Sequence, residues 1–163
     1  MDTSQLNELM RITLQSMKEI SSITLQCAVT PLPGRADLPF SALVGSYVSL
    51  VGKVYVLQLG ICSNENGLKA IAGMMMGMKP AESGALTEDE LADAIGEIGN
   101  ILCGSVKKKL ASKDASLQIG IPILVRGQVE VSSSIQSMDS DVSVGEVPVR
   151  MVVLLGSEPS GEK

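Results

Sequence analysis

Histidine is absent from the 163-residue chain. Without imidazole there is no Ser-His-Asp triad, no Cys-His nucleophile, no histidine ligand for a metal and no phosphohistidine relay. Any chemistry must therefore use carboxylates, amides, hydroxyls, lysine, arginine or backbone dipoles.

Aromatic and basic residues are also scarce. The chain has no Trp, one Phe and two Tyr, and its formal net charge is −5. Proteins that bind nucleic acids usually present a basic surface, and those that bind single strands add aromatic rings for stacking. We therefore expect no nucleic-acid partner.

Long apolar runs and cysteine pairs are missing as well. No apolar run approaches the roughly 18 residues of a membrane-spanning helix, and the N-terminal segment is amphipathic rather than built like a signal peptide. Cys27, Cys62 and Cys103 are widely spaced and form no CxxC motif, as is typical of a reduced protein. We expect a cytoplasmic protein that does not contact a membrane.

Helical and strand-like patterns follow one another along the chain. Apolar residues recur at helical spacing from Thr3, and a short helix is predicted from Asn64 to Gly77. A capping box at residues 87–90 starts a second long helix that ends near Leu110. Strand-like runs lie at 23–29, 42–51, 53–61, 116–121, 128–135, 141–144 and 147–155. The pattern predicts one α+β domain over residues 1–156, with two long helices packed on a mostly antiparallel sheet, and a polar tail over 157–163.

The two long helical segments resemble each other. Their apolar positions largely match when the segment from Ser4 is aligned with the segment from Asp93. The alignment also matches Glu8 with Glu97 and Pro33 with Pro122, and it places Ser4 opposite Asp93 and Arg11 opposite Asn100. We interpret the chain as two related halves, each a long helix followed by strands, which predicts an internal pseudo-twofold repeat.

The second long helix contains an unusual stretch, LADAIGEIGNILCG, at residues 91–104. Each interior glycine costs roughly 1 kcal/mol of helix stability relative to alanine, so its three glycines suggest that something approaches the helix backbone closely. Gly99 lies nearer the apolar stripe, and its absence of a side chain could serve either internal packing or contact with a docking partner. For Gly96 and Gly104, on the polar side, contact with a docking partner is the favoured interpretation.

Glu97 and Asn100 project from the same polar side of this helix, because they are i, i+3 neighbours. An amide is neither a base nor a nucleophile near neutral pH, but it can donate and accept hydrogen bonds at once and so hold a water molecule for in-line attack. Glu97 could anchor a partner's Lys or Arg, or act as a general base. Both residues could equally belong to an ordinary solvated face. The chain has no P-loop and no Asp-rich metal motif, so a phosphoryl group and its metal would have to belong to a partner, and we expect no cofactor of its own.

The pattern Asp93-x-x-x-Glu97-x-x-Asn100, with Pro122 further along, resembles the signature of the CheC/CheX/FliY phosphatases of bacterial chemotaxis. The single intact motif most resembles the CheX branch, and the resemblance spans residues 4 to about 155. It implies two long helices packed on a sheet with internal pseudo-symmetry. It also implies dephosphorylation of phospho-CheY, the response regulator that controls the flagellar motor.

The resemblance assigns roles to the residues of the motif. Asn100 would align the attacking water on the regulator's aspartyl phosphate, and Glu97 would pair with the regulator's active-site Lys. Asp93 opens the motif, and Pro122 would shape the strand beside the docking surface. The Mg²⁺ ion would be the receiver's own. Proteins of the CheX branch dimerise through their sheets, so the resemblance also implies a homodimer.

Lys107 is a further candidate for contact with the partner. It begins the run of three lysines at 107–109, which could steer an acidic receiver domain towards the helix. Lysine at a helix C-terminus is also favoured by the helix dipole alone, which is the alternative interpretation.

The first copy of the motif departs from the pattern at Arg11, which occupies the position of Asn100. A guanidinium has no hydrogen-bond acceptor for water, so we expect the first copy to be inert. CheC-type proteins usually keep two sites, which argues against that branch. A receiver other than CheY stays open as the partner. Two other functions also stay open: a non-catalytic dimeric module that binds a receiver or another chemotaxis protein, and a scaffold dimer in which Glu97 and Asn100 are buried between subunits.

Overall fold

Helices cover one face of a seven-stranded sheet in the computed structural model, which describes residues 3–127 and 129–157. The helices are α1 (Thr3–Ile20), α2 (Glu65–Met75) and α3 (Glu88–Leu110). The strands are β1 (Val29–Pro31), β2 (Val44–Val51), β3 (Val56–Ser63), β4 (Gln118–Ile119), β5 (Ile123–Arg126), β6 (Gln136–Val144) and β7 (Val147–Leu155). The chain is therefore an α+β protein, as the sequence predicts.

The sheet is antiparallel at every strand pair of the described residues. Its order is β1-β6-β7-β3-β2, and both β4 and β5 pair with the outer side of β2. Alternate residues of the central strands point towards the helices, and Val48, Leu59 and Met151 are almost completely buried there. These side chains form the main core together with one stripe of each helix. A smaller apolar cluster, centred on Leu38, Leu43 and Cys62, lies apart from this core.

α1 forms where the apolar spacing predicts it. Its buried positions include Leu6, Leu9, Met17 and Ile20. Thr13 and Ser16 are the polar residues among the buried ones, and the Thr13 hydroxyl donates to the Leu9 carbonyl at 2.7 Å. That bond satisfies the hydroxyl within the helix, so the stripe tolerates it.

The strand predicted at 23–29 is wrong for most of its length. Ser21–Leu25 instead continues α1 as a π-helical turn, and the turn ends at Gln26, whose φ is 54°. Ile23, which a strand would have buried, is 80% exposed. The β-forming residues of this run alternate only in part, and the hydrogen-bond ladder of the preceding helix outweighs their local preference.

The strand predicted at 128–135 is also wrong over the described residues 129–135, where the chain runs as loop and turn. β5 lies earlier, because Ile123 pairs with Tyr47 of β2, and the chain leaves the sheet at Gly127, whose φ is 86°. β6 begins at Gln136, five residues before its predicted start at 141. Its first half is polar on the exposed side of the sheet, so it lacks the apolar alternation that sequence patterns detect.

Other predicted elements are confirmed. The strands predicted at 42–51 and 53–61 form a hairpin around Gly52, although its loop extends to Tyr55. α2 forms where the short helix is predicted, and it is capped by Asn64, whose side chain accepts from Gly67 N at 2.7 Å. Within the described residues no helix is both long enough and apolar enough to cross a membrane. Of the predicted polar tail, residues 158–163 lie outside the described part of the chain.

Asp114, just after α3, holds the β2–β3 hairpin. Its carboxylate accepts from the backbone N–H groups of Val54 and Tyr55 at 2.8 and 3.1 Å and from the Ser116 hydroxyl at 2.5 Å. The Ser116 hydrogen bond contributes most to lowering the pKa of Asp114; burial acts in the opposite direction, and the backbone bonds add to the lowering. The C-terminal end of α3 is thereby fixed to the sheet.

An ion pair is buried between β6 and β7. The Arg150 guanidinium donates to both carboxylate oxygens of Asp141 at 2.8 and 2.9 Å, and to the Leu38 carbonyl at 3.2 Å. Burial acts to raise the pKa of Asp141, but the hydrogen bonds from Arg150 and from the Ala36 N–H outweigh it and lower that pKa. These bonds fasten the segment around Leu38 to the sheet.

Replacing Asp141 with alanine should lower the free energy of unfolding by about 3–5 kcal/mol, because the buried guanidinium of Arg150 loses its counter-charge. The matched control is Asp139→Ala, two residues earlier on β6, which removes a surface pair with Arg35 and should cost at most about 1 kcal/mol. Urea unfolding of the two variants measures the difference. Equal losses would contradict this account of the buried pair.

Candidate functional site

One side of α3 is open to solvent. Asp93, Glu97 and Asn100 are exposed, and Gly104 and Lys107 are partly exposed. We call these five residues the site face. The opposite stripe of the helix is at most 1% exposed and consists of Leu91, Ile95, Ile98, Leu102, Val106 and Leu110. The sequence prediction of one apolar and one polar side is confirmed.

The side chains of Glu97 and Asn100 have no partner within the described part of the chain. Across residues 3–127 and 129–157 no group forms a hydrogen bond or an ion pair with either of them. On a helix they are i, i+3 neighbours and therefore share one patch of surface. An exposed carboxylate and amide without internal partners can bind an external group.

The start of α3 is fixed by its cap. The Thr87 hydroxyl accepts from Glu90 N, and the Glu90 carboxylate accepts from Thr87 N, both at 3.2 Å. This is the predicted capping box. Arg126 of β5 also donates to Glu88 at 3.0 Å and to Glu65 of α2 at 3.4 Å. The first turn of α3 is thus tied to β5 and to α2.

Gly96 is buried, and its open side is covered by Pro122. A Cβ added at Gly96 would lie 3.2 Å from the Pro122 Cβ. Pro122 therefore fills the space beside Gly96, and contact of Gly96 with a docking partner stays a prediction. Pro122 lies between β4 and β5, so this contact joins the edge of the sheet to the site helix.

Gly99 and Gly104 also differ in how much space lies beside them. A Cβ at Gly99 would lie 2.8 Å from Cγ2 of Val48 in β2, so this glycine serves internal packing, one of the two alternatives. At Gly104 no atom lies within 4 Å of an added Cβ. Gly104 alone of the three glycines leaves clearance on the open surface of the helix, and its contact with a partner stays a prediction.

A shallow depression of about 440 Å³ lies beside Glu97. Its lining consists of Met75, Met76, Glu90, Asp93, Ala94 and Glu97. Met75 packs partly against the core, whereas Met76 is 48% exposed. Methionine walls beside carboxylates suit a long side chain with an aliphatic stem and a cationic end. Sequence reasoning missed this depression, because nothing in the sequence shows that the end of α2 meets Glu97.

The three lysines at the end of α3 have different surroundings. Lys109 pairs with Glu19 of α1 at 2.7 Å and so holds the two helices together. Lys107 has no ion pair within the described residues and lies two turns beyond Asn100. Lys107 therefore stays a candidate for contact with a partner.

On α1, the carboxylate that aligns with Glu97 already has a partner within the chain. Glu8 of α1, which aligns with Glu97, pairs with Lys113 at 2.8 Å, and that hydrogen bond lowers the pKa of Glu8. Arg11 is exposed at the position that aligns with Asn100. Of the two aligned carboxylates, only Glu97 is open to an external cation.

Cys103, the one thiol of α3, lies on the buried side of the helix. Burial raises the pKa of Cys103 to about 12, so this thiol is protonated near neutral pH and is a poor nucleophile. Among the described residues no three Cys, Asp or Glu side chains are grouped as metal ligands. The chemistry available on the site face is recognition by a carboxylate and positioning by an amide.

Solved structures with the same fold are CheX, CheC-like and FliY proteins. CheX from Vibrio vulnificus has a TM-score of 0.70 at 18% identity, over 92% of this chain and 97% of that one. FliY from Thermotoga maritima has a TM-score of 0.68 at 15% identity, over 94% and 89%. CheX from Borrelia burgdorferi, in a structure described as a CheX–CheY–BeF3–Mg²⁺ complex, has a TM-score of 0.65 at 15% identity, over 90% and 96%. The chain therefore has the fold of these CheX and FliY structures.

The family model described as chemotaxis phosphatase CheX matches residues 44–141, more than half of the chain. The chain belongs to the CheX family, and the family resemblance carried by the motif is confirmed. The matched region contains α3 and Pro122. No curated protein matches the sequence.

Replacing Glu97 or Asn100 with alanine should change the free energy of unfolding by no more than about 0.5 kcal/mol, because neither side chain has an internal partner. Thr87→Ala on the same helix should cost about 1 kcal/mol, since it removes the cap. Urea unfolding of the three variants tests this. A large loss in the Asn100 variant would mean that the residue supports the fold.

Proposed function

We propose that the protein is a chemotaxis phosphatase that hydrolyses the aspartyl phosphate of a CheY-like response regulator. The observation that carries the proposal is the open pair of Glu97 and Asn100, on a helix fixed at both ends, in a member of the CheX family. A relative described in complex with CheY supports a receiver domain as the partner.

Asn100 is the proposed catalytic residue. Its carbonyl oxygen accepts a hydrogen bond from a water molecule, and its amide nitrogen donates towards the phosphoryl group. The water oxygen attacks phosphorus, the bond between phosphorus and the aspartate oxygen breaks, and phosphate leaves while the receiver regains its carboxylate. The phosphoryl group and Mg²⁺ belong to the receiver, so this chain contributes positioning rather than a nucleophile of its own.

Glu97 is the proposed anchor for the receiver's active-site lysine. Its carboxylate is exposed and unpaired within the described residues, and it borders the depression with Met75 and Met76. An aliphatic stem could lie along the methionines while the ammonium reaches the carboxylate. Asp93, Gly104 and Lys107 extend the proposed contact along the helix.

The proposed internal repeat is supported by the strand order. The strand order is β1-β6-β7-β3-β2-β5. If β1, β2 and β3 are exchanged with β5, β6 and β7 respectively, the same order is obtained read from the other end, as a twofold repeat requires. Under this proposal the first copy is inert, because Glu8 is already paired with Lys113 and because Arg11, which stands in place of the asparagine, has no acceptor for water.

A homodimer formed through the sheet is also proposed. Within the described residues β1 pairs only with β6, and β5 pairs only with β2, so both outer edges are available to a second copy.

Wild-type protein should accelerate the decay of a phosphorylated receiver from the same genome, and Asn100→Ala should leave the receiver's own decay rate unchanged. Losing a positioned water should reduce the acceleration by roughly 10²-fold or more. The measurement is the loss of phosphoryl label from each receiver over time. Absence of acceleration by wild type with every receiver would rule out the enzyme.

The first copy supplies the matched controls. Glu8→Ala and Arg11→Ala change the aligned positions on α1 and should keep full activity, whereas Glu97→Ala should weaken receiver binding. A receiver that binds wild type and Asn100→Ala equally, with no turnover by either, would instead establish a non-catalytic binding module.

A further inference from the structure

α3 lies unusually close to β2 at Gly99. A Cβ built on this residue would lie 2.8 Å from Cγ2 of Val48 and 3.7 Å from the Ser46 hydroxyl oxygen. Carbon atoms in contact normally stay about 3.5–4.0 Å apart, so any side chain at position 99 would push the helix and strand apart by about 1 Å. Val48 is 1% exposed and has core neighbours that limit its movement.

The next turn of the helix meets the same strand residue. The Cys103 thiol, four residues after Gly99, donates to the Val48 carbonyl at 3.9 Å. On the preceding turn Gly96 lies against Pro122. Three successive turns therefore rest on fixed neighbours, and the middle one has no side chain to separate helix from sheet.

Asn100 follows Gly99 directly and points away from this contact. Val48 limits how closely the helix can approach β2. The distance between β2 and the helix axis in turn sets how far the Asn100 amide lies above the sheet. In-line attack on phosphorus tolerates little error, and a misplacement of about 1 Å can cost about 10²-fold in rate.

We infer that Gly99 and Val48 are positioning residues, which set the height of Asn100 for the proposed hydrolysis. The inference rests on the proposed function. It adds that Gly99 is required for the depth of α3 on the sheet rather than for clearance of the partner. Glu97, with its longer side chain, is less sensitive to the same displacement.

Gly99→Ala should lower kcat by about 10- to 100-fold, with a much smaller change in KM for the phosphorylated receiver. Adding Val48→Ala in the same chain should restore kcat to within a few-fold of wild type, because it removes the atom that the new methyl meets. Alanine has the higher helix propensity, so without this contact Gly99→Ala would be harmless.

Val144→Ala is the control for core disruption. Val144 is fully buried in β6, which packs against α1, so this variant should lose stability and keep kcat. A double variant with low kcat, or one that does not fold, would overturn the inference. So would a Gly99→Ala protein with wild-type kcat.

The position of the Asn100 amide has a readout that needs no turnover. Its side-chain resonances in an NMR spectrum of nitrogen-15-labelled protein, assigned by their loss in Asn100→Ala, should shift in the complex of Gly99→Ala with the receiver and return in the double variant. Unmoved resonances would overturn the inference. Failure of wild type to accelerate any receiver would instead count against the proposed function. The two outcomes can be told apart, because the resonances report the position of the Asn100 amide without any turnover.

Discussion

The contact between Gly99 and Val48 is the constraint on which the site depends. α3 must bury one stripe deeply enough to close the core and still present an unobstructed polar side. At most positions of the helix, side chains such as Ile95 and Leu102 fill the gap to their neighbours. At position 99 there is no side chain, and the backbone itself approaches the strand. The site face therefore rests on one side chain of β2, Val48, which is β-branched and buried among core neighbours that limit its movement.

Glu8 and Glu97, the two carboxylates that align in sequence, differ in their partners. Glu8 pairs with Lys113, which lies just beyond α3, so the first copy helps to hold the two helices together. Glu97 has no such partner within the described part of the chain. A surface pair of this kind contributes at most about 1 kcal/mol, so its effect on stability is small. Its effect on recognition is larger, because a carboxylate already paired with a neighbouring lysine is less available to a lysine of another protein.

Periodicity and capping predicted α1, α2, α3 and the central hairpin, because each of these signals lies within a few neighbouring residues. The two failed strand predictions have different causes: the preceding helix continues through most of the run at 23–29, and strand pairing distant in sequence decides the run at 128–135. Ile23 has a strand-forming side chain but continues a helix, and the run after Gly127 leaves the sheet because β5 has already paired with Tyr47. For the site, the spacing of Glu97 and Asn100 was enough to place them on one surface. The roles of Gly96 and Gly99 could not be assigned, since Pro122 and Val48 come from other elements and the sequence does not show which glycine meets a neighbour.

Three interior glycines weaken α3 by roughly 1 kcal/mol each relative to alanine, yet positioning a water molecule requires a stiff support. The structure resolves this conflict by fixing the helix from outside. Thr87 caps its first turn, Asp114 fastens its C-terminal end to the β2–β3 hairpin, and Lys109 joins it to Glu19 of α1. Two of the glycines themselves exchange local helix stability for a close fit, Gly96 against Pro122 and Gly99 against Val48. The cap and the tertiary contacts thus supply the rigidity that the helix sequence lacks, and none of them uses the side chain of Asn100, which stays exposed.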